Sequence, residues 1–341
     1  MKINTKELLN ALTTVKPGLS NRELIEQANS FAFIDGRVVT YNDEISVSHP
    51  IKNLDITGSI KAEELYKFLN KIKAEEIDVS MTETEIIFKS GKSKAAFLLE
   101  QEIKLDLEEI SAKKKWKKLP KDFMKHVQFV APSASKDAST AALTCVHVRA
   151  DGVVEATDRY RVASYKGNEG LDEFLLPSDI VSIVAAMNPS KIFVEKQWVH
   201  FKSDTETIMS CRIFSAEFPQ VDPILKMPKD SMKIEFPEKV KEVIEKATIF
   251  AKRQFSFEEF IYLTLSKNSI KVEALSEAAR FEETIKCDYK GAEFAFKTNP
   301  NLFLDILKQK VFTASLCSNR IKFQTDDWQY VAVLHATTDE K

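Results

Sequence analysis

Residues that can do acid–base, nucleophilic or metal chemistry occur throughout this 341-residue sequence, but their spacing forms no catalytic or metal-binding pattern. The five histidines are His49, His126, His147, His200 and His335. None of their spacings is HxxxH or HExxH, which would place two metal ligands on one helix face. No GxSxG segment marks a nucleophilic serine, and carboxylate pairs such as Glu75–Glu76 and Glu258–Glu259 lie in generally charged stretches. The sequence therefore predicts a protein that is not an enzyme and has no metal centre.

Cysteine and glycine usage argues against two further kinds of chemistry. The four cysteines lie far apart without a CxxC pair, which disfavours a disulfide framework and a cysteine-built zinc site. The eight glycines form neither GxGxxG nor GxxxxGK(S/T), the loops that cradle phosphates. We therefore expect no nucleotide and no other cofactor.

The composition indicates an ordinary globular protein, with 44% hydrophobic residues and 49 Lys and Arg against 51 Asp and Glu. Its longest mostly apolar stretch, Ile180–Met187, is shorter than the roughly 18 residues of a membrane-spanning helix. The first residues, Met1–Asn4, open no signal peptide. These observations predict a cytoplasmic protein that has no membrane partner.

Six segments with apolar residues at helical spacing recur at intervals of roughly 60 residues. They begin near Lys6, Lys61, Pro120, Pro177, Pro237 and Pro300. Proline is expected at the first helical position of the third and fourth segments. Strand-like alternation lies between the helices, as in Ile77–Met81 and Ser269–Glu273. The pattern predicts an α+β fold of three similar domains, each of two helix-plus-strands units, at residues 1–112, 113–230 and 231–341.

The two predicted domain boundaries, Ser111–Lys118 and Pro228–Ser231, have the composition of linkers. The first contains the basic run Lys113–Lys118, which is interrupted by Trp116. Such a run either contacts nucleic acid or is an exposed interdomain linker, and the sequence leaves both interpretations open.

Basic residues recur on the helix faces opposite the apolar stripes. They are Lys67 and Lys71 on the second segment, Lys121 and Lys125 on the third, and Lys239, Lys246 and Arg253 on the fifth. Glutamates such as Glu63 and Glu242 lie among these basic residues. For any single helix, an ordinary solvent-exposed face is therefore enough to explain the basic residues. Their repetition favours a second interpretation, a local positive surface that binds phosphates weakly, without base specificity and in a salt-sensitive way.

Four segments, in chain order, resemble the motifs of one known family. Ser90–Lys94 is similar to its SGRSR strand, Ala156–Ala163 to its signature ATDGHRLA, Glu217–Leu225 to RFPDYxxVLP, and Tyr330–Leu334 to its YVVMP terminus. The family is the bacterial DNA polymerase III β subunit, the β sliding clamp. Departures within the motifs make the sequence resemble a divergent member, such as one from a phage or another mobile element.

The resemblance implies a DNA clamp fold whose subunits close into a ring as a homodimer, with helices around the hole and sheets outside. It also implies a DNA sliding clamp, a processivity factor that encircles duplex DNA without reading its sequence and tethers DNA polymerase. The polymerase and the clamp loader are expected to bind through short apolar peptide motifs. A clamp-like interaction scaffold without productive DNA loading is the alternative. An enzyme acting on nucleic acid is a third candidate, which the residue spacing does not support.

Matching the motifs residue by residue implies three sets of functional positions. The partner-peptide cleft comprises Leu143, Thr157, Arg159, Tyr160, Arg161, Val162, Pro219, Ile224, Val331, Val333 and Leu334. DNA-binding positions are Arg22 and the seven basic helix residues named above. The dimer interface comprises Phe97, Ile249 and Phe250. Within the cleft, Arg161 is either a structural ion-pair partner or a ligand contact.

Three departures from the family pattern concern these positions. Arg159–Tyr160 replaces Gly-His and adds bulk and charge at the rim of the cleft. Val333–Ala336 replaces the family's terminal MPMRL, and Arg22 is not followed by the usual proline-containing segment. We therefore expect the partner specificity to differ from that of typical clamps.

Overall fold

The structure is a computed structural model that describes residues 1–22, 25–107, 110, 115–255 and 258–337. The described chain forms two compact units. The first unit comprises Met1–Lys121 and Asp179–Ser215, and the second comprises Asp122–Ser178 and Ala216–Lys341. This division into two units does not test the predicted three-domain division at residues 1–112, 113–230 and 231–341, which stays a prediction.

The described helices follow the predicted repeat. In chain order they are α1 Thr5–Val15, α2 Ala62–Leu69, α3 Phe123–Val130, α4 Val181–Ala186, α5 Asp222–Leu225, α6 Lys239–Ala251 and α7 Pro300–Leu307. Apart from the short α5, their first residues follow one another at intervals of 57 to 61 residues. Each of the six buries an apolar stripe, as α6 does with Val240, Val243, Ile244 and Ala247. No described helix is both long and apolar enough to cross a bilayer.

The observed helix starts show which of the predictions of proline at the first helical position are right. Pro300 does occupy the first position of α7, where Asn299 Oδ1 accepts the amide hydrogen of Asn301 at 3.0 Å. The predictions for the third and fourth helices are wrong. The chain turns after Pro120 because Asp122 adopts a left-handed φ of 60°, and α3 begins after it. Pro177 ends a strand, and a 3₁₀ turn follows before α4.

Twenty-five short strands are found in the described residues. The first thirteen are β1 Lys2–Asn4, β2 Ser30–Ile34, β3 Arg37–Tyr41, β4 Ile45–Pro50, β5 Gly58–Lys61, β6 Glu76–Met81, β7 Glu85–Ser90, β8 Ser93–Leu98, β9 Lys117–Lys118, β10 Cys145–Val148, β11 Val154–Thr157, β12 Arg161–Tyr165 and β13 Phe174–Pro177. The others are β14 Pro189–Val194, β15 Trp198–Ser203, β16 Ile208–Arg212, β17 Met232–Glu235, β18 Ile261–Ser266, β19 Ser269–Leu275, β20 Arg280–Lys286, β21 Phe294–Thr298, β22 Thr313–Cys317, β23 Arg320–Gln324, β24 Trp328–Val333 and β25 His335–Ala336.

These strands form two antiparallel sheets in each unit. In the first unit the sheet orders are β5-β2-β3-β4-β16-β15-β14-β9 and β1-β6-β7-β8. In the second unit they are β13-β10-β11-β12-β24-β23-β22-β17 and β20-β19-β18-β21-β25. The architecture is therefore α+β, as the sequence predicted. Lys117 and Lys118 were predicted to lie in a linker, but they form the edge strand β9, which pairs with β14. Of the same basic run, Lys113 and Lys114 lie outside the described residues.

A four-strand pattern recurs within these sheets. We call β5-β2-β3-β4, β13-β10-β11-β12 and β21-β18-β19-β20 the leading half-sheets, and β1-β6-β7-β8, β9-β14-β15-β16 and β17-β22-β23-β24 the trailing half-sheets. A leading half-sheet joins a trailing one through the third of its strands in chain order, which is the last strand in the orders written above. The two seams within the chain are β4·β16 and β12·β24. The corresponding edges β20 and β8 have no hydrogen-bonded neighbour on their outer side within the described chain.

Candidate functional site

The floor of the candidate cleft is the seam between β12 and β24 in the second unit. Val162 and Val331 are directly opposite each other in this antiparallel pair, and each is only 2% exposed. Both belong to one apolar cluster, whose other members are Ala142, Cys145, Leu175, Phe218, Val221 and Leu225. The segment that resembles RFPDYxxVLP therefore lies against the seam and buries three apolar side chains there.

Polar contacts fix α5 over the cleft. Asp222 Oδ1 lies 3.1 Å from Arg149 Nη1, at the start of the helix. At its end, Arg320 Nη1 donates to the carbonyl oxygen of Ile224 at 3.1 Å. Leu225 is buried, whereas Ile224 is 42% exposed. The helix thus presents Ile224 as an apolar surface next to the floor.

The rim of the cleft is the turn between β11 and β12. Asp158 Oδ1 accepts the amide hydrogens of Tyr160 and Arg161, both at 2.9 Å. Arg159 has a φ of 76°, a left-handed conformation that suits the glycine of the family motif and costs a non-glycine residue about 1–2 kcal/mol. Tyr160 is 53% exposed, and its carbonyl oxygen accepts the amide hydrogen of Val333 at 2.8 Å. Arg159 and Tyr160, the two residues that replace Gly-His of the family motif, therefore lie directly beside the cleft.

All three guanidinium nitrogens of Arg161 donate hydrogen bonds to groups of the same chain. Its Nε lies 2.9 Å from Asp158 Oδ2 and its Nη1 lies 2.6 Å from Asp305 Oδ2 on α7. Its Nη2 donates to the carbonyl oxygen of Pro132. Burial alone would lower the pKa of Arg161, but its polar and charged partners, beginning with Tyr330 and Asp158, outweigh burial and raise that pKa. Of the two interpretations left open by the sequence, the geometry is that of a structural ion-pair partner.

The remaining predicted cleft residues differ in exposure. Thr157 is buried, and its hydroxyl donates to the carbonyl oxygen of Arg161 at 2.7 Å. Leu143 and Leu334 are also buried, at 5% and 3% exposure. Pro219 is exposed and Val333 is half-buried.

Sequence analysis did not single out His147, whose ring contacts Phe218 of the cleft segment. His147 Nδ1 and Nε2 lie 2.9 Å from Glu155 Oε1 and Glu173 Oε1, respectively, and its ring centroid lies 4.7 Å from that of Phe218. The only available signal was the β10–β11 hairpin, whose register places His147 opposite Glu155. That register is not evident from residue types alone.

The predicted DNA-binding lysines on the helices are largely compensated by carboxylates. Lys67 pairs with Glu63 one turn earlier, and Lys125 Nζ lies 2.6 Å from Asp122 Oδ1. Glu283 binds both Lys239, at 3.1 Å, and Lys246, at 2.9 Å. Lys246 also lies 3.0 Å from Glu242. These ion pairs are mostly solvent-exposed and therefore weak. A DNA phosphate must still displace the carboxylate in order to bind the lysine.

Three of the basic residues do not lie on the predicted helices. Helix α2 ends at Leu69, so Lys71 lies in the following turn. Lys121 precedes α3, and Arg253 follows α6, where its guanidinium donates to the carbonyl oxygens of Lys252 and Leu275 at 2.8 and 2.5 Å. Arg22 is exposed and ends the first described range.

The predicted dimer residues lie beside the two open edges. On β8, Phe97 has ring centroids of Phe68 and Phe88 at 5.7 and 5.8 Å. In the second unit, Phe250 stacks on Phe281 of β20 at 5.5 Å, and Ile249 is 71% exposed. Further exposed apolar residues next to these edges are Leu98 and Leu275, at 68% and 54%.

Comparison with solved structures identifies the fold. The chain superposes on the DNA polymerase III β subunit of Pseudomonas aeruginosa with a TM-score of 0.84 at 15% identity, covering 98% of this chain and 99% of that one. For the β chain of Streptococcus pneumoniae the TM-score is 0.86 at 21% identity, covering 98% and 99%. For the sliding clamp of Bacillus subtilis it is 0.83 at 17%, covering 99% of both. The described chain therefore has the DNA clamp fold over nearly its full length.

Sequence comparison gives no corresponding match. No protein-family model matches the chain, and no curated protein matches it. The likeness thus resides in the backbone and in the few motifs described above.

Proposed function

We propose that the chain is one subunit of a two-subunit DNA sliding clamp, a processivity factor that encircles duplex DNA and tethers DNA polymerase and other DNA-acting proteins. The observation that carries the proposal is the sheet topology, in which two seams close within the chain and the edges β8 and β20 stay open. Open strand edges invite pairing with another chain. The full-length similarity to sliding clamps supports the same function.

The rule that forms the two seams also predicts how two copies join. At each seam, the last strand of a trailing half-sheet pairs with the third strand of a leading one. Applied to a second copy, this rule pairs β8 of one subunit with β20 of its partner. In the proposal, two copies make this head-to-tail contact twice and the assembly closes into a ring, whereas a rotation that does not close would give an open filament. The exposed side chains Leu98, Ile249 and Leu275 become buried in this arrangement.

Weak helix–phosphate contacts suit a ring that must move along DNA. In the proposal, Arg22, the helix lysines and Arg253 attract phosphates from several sides and read no base edges. The exposed ion pairs of Lys67, Lys125, Lys239 and Lys246 reduce the positive charge available for this. Retention on DNA then depends on encirclement, and direct binding to a linear duplex is weak and falls with salt.

Partner proteins are proposed to bind at the exposed side chains of Ile224 and Tyr160, beside the buried seam residues Val162 and Val331. A short apolar peptide of a polymerase or a clamp loader can place a Leu or Phe side chain beside Ile224, with an affinity on the order of micromolar. The proposal involves no catalytic step and no cofactor. It assigns the protein to the replication machinery in the cytoplasm.

The compensated lysines favour one alternative, a clamp-like interaction scaffold that keeps the cleft but is not loaded productively onto DNA. Its helices would need no net positive surface, and four of the predicted DNA-binding lysines already have carboxylate partners. The two functions make the same prediction for peptide binding and opposite predictions for DNA retention.

A topological experiment separates the two functions without a clamp loader. Subunits dissociated by dilution are reassociated in the presence of a closed circular duplex and then passed through a sizing column at moderate salt. The clamp proposal predicts that protein elutes with the circle and is lost after a restriction enzyme cuts it. Equal retention on cut and uncut DNA, or none on either, contradicts encirclement and leaves the scaffold.

A further inference from the structure

A cavity of about 290 Å³ lies on the eight-stranded sheet of the first unit, on the face turned away from α1. Thr40 of β3 donates to the carbonyl oxygen of Val15 and so faces α1, whereas its neighbours along the strand face the other way. Val39 is opposite Ser48, Ser48 is opposite Ile208, and all three line the cavity. The cavity therefore lies over the β4·β16 seam.

The floor of this cavity is polar, in contrast to the apolar floor of the cleft. Ser46 and Ser210 are directly opposite each other at the seam, and both line the cavity. The hydroxyl of Ser210 lies 2.7 Å from Nδ1 of His200. Ser46 is only 3% exposed, and within the described residues its hydroxyl has no hydrogen-bond partner. A hydroxyl in this position favours a ligand that can hydrogen-bond to it.

The walls of the cavity are apolar. Trp116, which interrupts the basic run of the sequence, is half-buried and lines the cavity together with Val39 and Ile208. Nζ of Lys202 lies 5.8 Å from the centroid of the indole ring. A planar ring can contact these walls with its faces while its polar edge reaches the serine hydroxyls.

A row of lysines borders the cavity. Lys118, Lys191 and Lys202 are directly opposed across β9, β14 and β15, so their side chains lie on one face of the sheet. That face carries the cavity, because Lys202 is also opposite Ile208. In the described part of the chain, Lys118 and Lys191 have no carboxylate within ion-pair distance, and Lys202 pairs with Glu206 at 2.5 Å. Like charges directly opposite one another repel, so this row favours an anion.

Arg37 brings positive charge into the cavity itself. Its Nε donates to the hydroxyl of Ser48 at 2.6 Å, and its Nη2 donates to the carbonyl oxygen of Glu206 at 2.7 Å. Among the described residues, no carboxylate lies within ion-pair distance of Arg37. The carboxylate among the described lining residues, that of Asp35, is exposed. The cavity and the lysine row therefore combine apolar walls and hydroxyls with excess positive charge.

We propose that this surface binds single-stranded nucleic acid, with one base in the cavity and the adjoining phosphates on the lysine row. An unpaired base supplies hydrogen-bonding groups for Ser46 and a flat face for Trp116, and its phosphates supply the countercharge for Lys118 and Lys191. A duplex keeps its bases stacked and cannot fill the cavity. An acidic peptide with an apolar anchor supplies the charge but leaves the serine hydroxyls without partners. This surface is separate from the helix residues that are proposed to attract duplex DNA.

Short single strands test the site without any need for encirclement. The probes are a fluorescently labelled thymidine octamer and a labelled octamer in which abasic sites replace all the bases. In fluorescence anisotropy at low salt, the wild-type protein should bind the thymidine octamer about fivefold or more tightly, because the abasic strand lacks the stacking and hydrogen-bonding groups. Raising the salt concentration should weaken the binding of both strands.

Two variants separate the contributions of charge and base. Lys118→Gln/Lys191→Gln should weaken both octamers by a similar factor and reduce the slope of log affinity against log salt by about 1.4, or about 0.7 for each lost phosphate contact. The matched control is Lys229→Gln/Lys233→Gln, at two exposed lysines of the second unit, which should bind as the wild type does. Ser46→Val places a branched apolar side chain in the cavity and should bring the ratio of thymidine to abasic affinities towards one. If Ser46→Val does not fold, the wild-type ratio decides whether a base is bound.

The outcomes distinguish this surface from the other proposed sites. Ile224→Asp alters the peptide cleft and Lys239→Gln/Lys246→Gln alters a helix of the proposed ring, so both should bind the thymidine octamer as the wild type does. A loss in either one places the strand at that site and overturns the proposal. Equal wild-type affinities for the two octamers, or an affinity that Lys118→Gln/Lys191→Gln leaves unchanged, also overturn it. If this double variant weakens binding of an acidic peptide and not of the octamer, the surface binds protein instead.

Discussion

His147 is held between two carboxylates at the back of the cleft. Ionised carboxylates only accept hydrogen bonds, so the contacts of 2.9 Å from both ring nitrogens to Glu155 and Glu173 favour a doubly protonated imidazole. Burial by itself would lower the pKa of His147, but hydrogen bonds and charge attraction from both carboxylates outweigh it and raise that pKa. The ring of His147 also contacts Phe218, a residue of the segment that lies against the cleft floor.

The pH dependence of stability should reveal this charge. Because the folded pKa is raised, the stabilisation by His147 is fully present below the ordinary value of about 6.5 and is lost as the pH rises through the folded pKa. The free energy of unfolding in urea, taken as wild type minus His147→Gln, should therefore decrease from about pH 6 towards pH 9.

His49 provides a control of opposite sign. Burial and the charge of Arg37 lower the pKa of His49, so protonation disfavours the folded state. The difference between wild type and His49→Gln should decrease as the pH falls through about 6.5. If the His147→Gln difference does not change with pH, the imidazole is not charged in the folded protein.

Arg161 should matter for stability rather than as a ligand contact. Arg161→Gln leaves the partly buried carboxylate of Asp158 without its ion-pair partner and leaves Asp305 with Lys308 alone, and we expect it to lower the free energy of unfolding by about 2–4 kcal/mol. Lys104→Gln, which removes an exposed pair with Glu26, should cost less than about 1 kcal/mol. Equal effects in urea titrations would show that Arg161 has no special structural role.

At the scale of elements, α5 is the part of the cleft most open to a direct test. Ile224 is exposed, so Ile224→Asp should leave the thermal unfolding temperature nearly unchanged. It places a charge where an apolar anchor must be buried, so calorimetry with a peptide ending in Leu-Phe should show at least about tenfold weaker binding. Leu225→Asp, at a buried position, should instead destabilise the protein. Unchanged affinity of the Ile224→Asp variant would mean that the cleft lies elsewhere.

Helix positions were predictable because each helix repeats one buried stripe, whereas helix ends depend on contacts that residue types do not specify. The side chain of Asn70 donates to the carbonyl oxygen of Tyr66 at 2.8 Å and ends α2, which leaves Lys71 in a turn. The pairing of Arg161 with Asp305 joins residues 144 positions apart. It requires the β12·β24 seam, which no local pattern predicts.

At the scale of the whole molecule, the sequence predicted the repeat but not the way in which its parts join. Regular helix intervals and alternating strands indicated similar units, and the motif resemblance indicated the clamp fold. The seams combine strands from distant parts of the chain, such as Ile45–Pro50 with Ile208–Arg212. For this reason the contacts of the chain divide into two units that do not follow the predicted boundaries.

The dimer interface should be sensitive to apolar residues beside β20. Replacing Ile249 and Phe250 with Ser removes burial worth roughly 1.5–3 kcal/mol per side chain and should shift the protein towards monomer. Because Ile249 is 71% exposed in the single chain, its replacement alone should not destabilise the folded monomer, and any loss of apparent stability should follow the loss of the dimer. Ile224→Asp is the control, since it also removes an exposed apolar side chain but lies away from the open edges. Light scattering that shows an unchanged dimer for the Ile249/Phe250 variant would place the interface elsewhere.

The most direct test of the central claim is the mass of the wild-type protein in solution. Each chain has a mass of 38.8 kDa and leaves one leading and one trailing edge open, so a closed assembly requires at least a second copy, and the proposed ring has two. Multi-angle light scattering should give about twice the single-chain mass at micromolar concentrations. A mass of 38.8 kDa that persists at tens of micromolar would contradict the account, because one copy cannot join β8 to β20 of a partner.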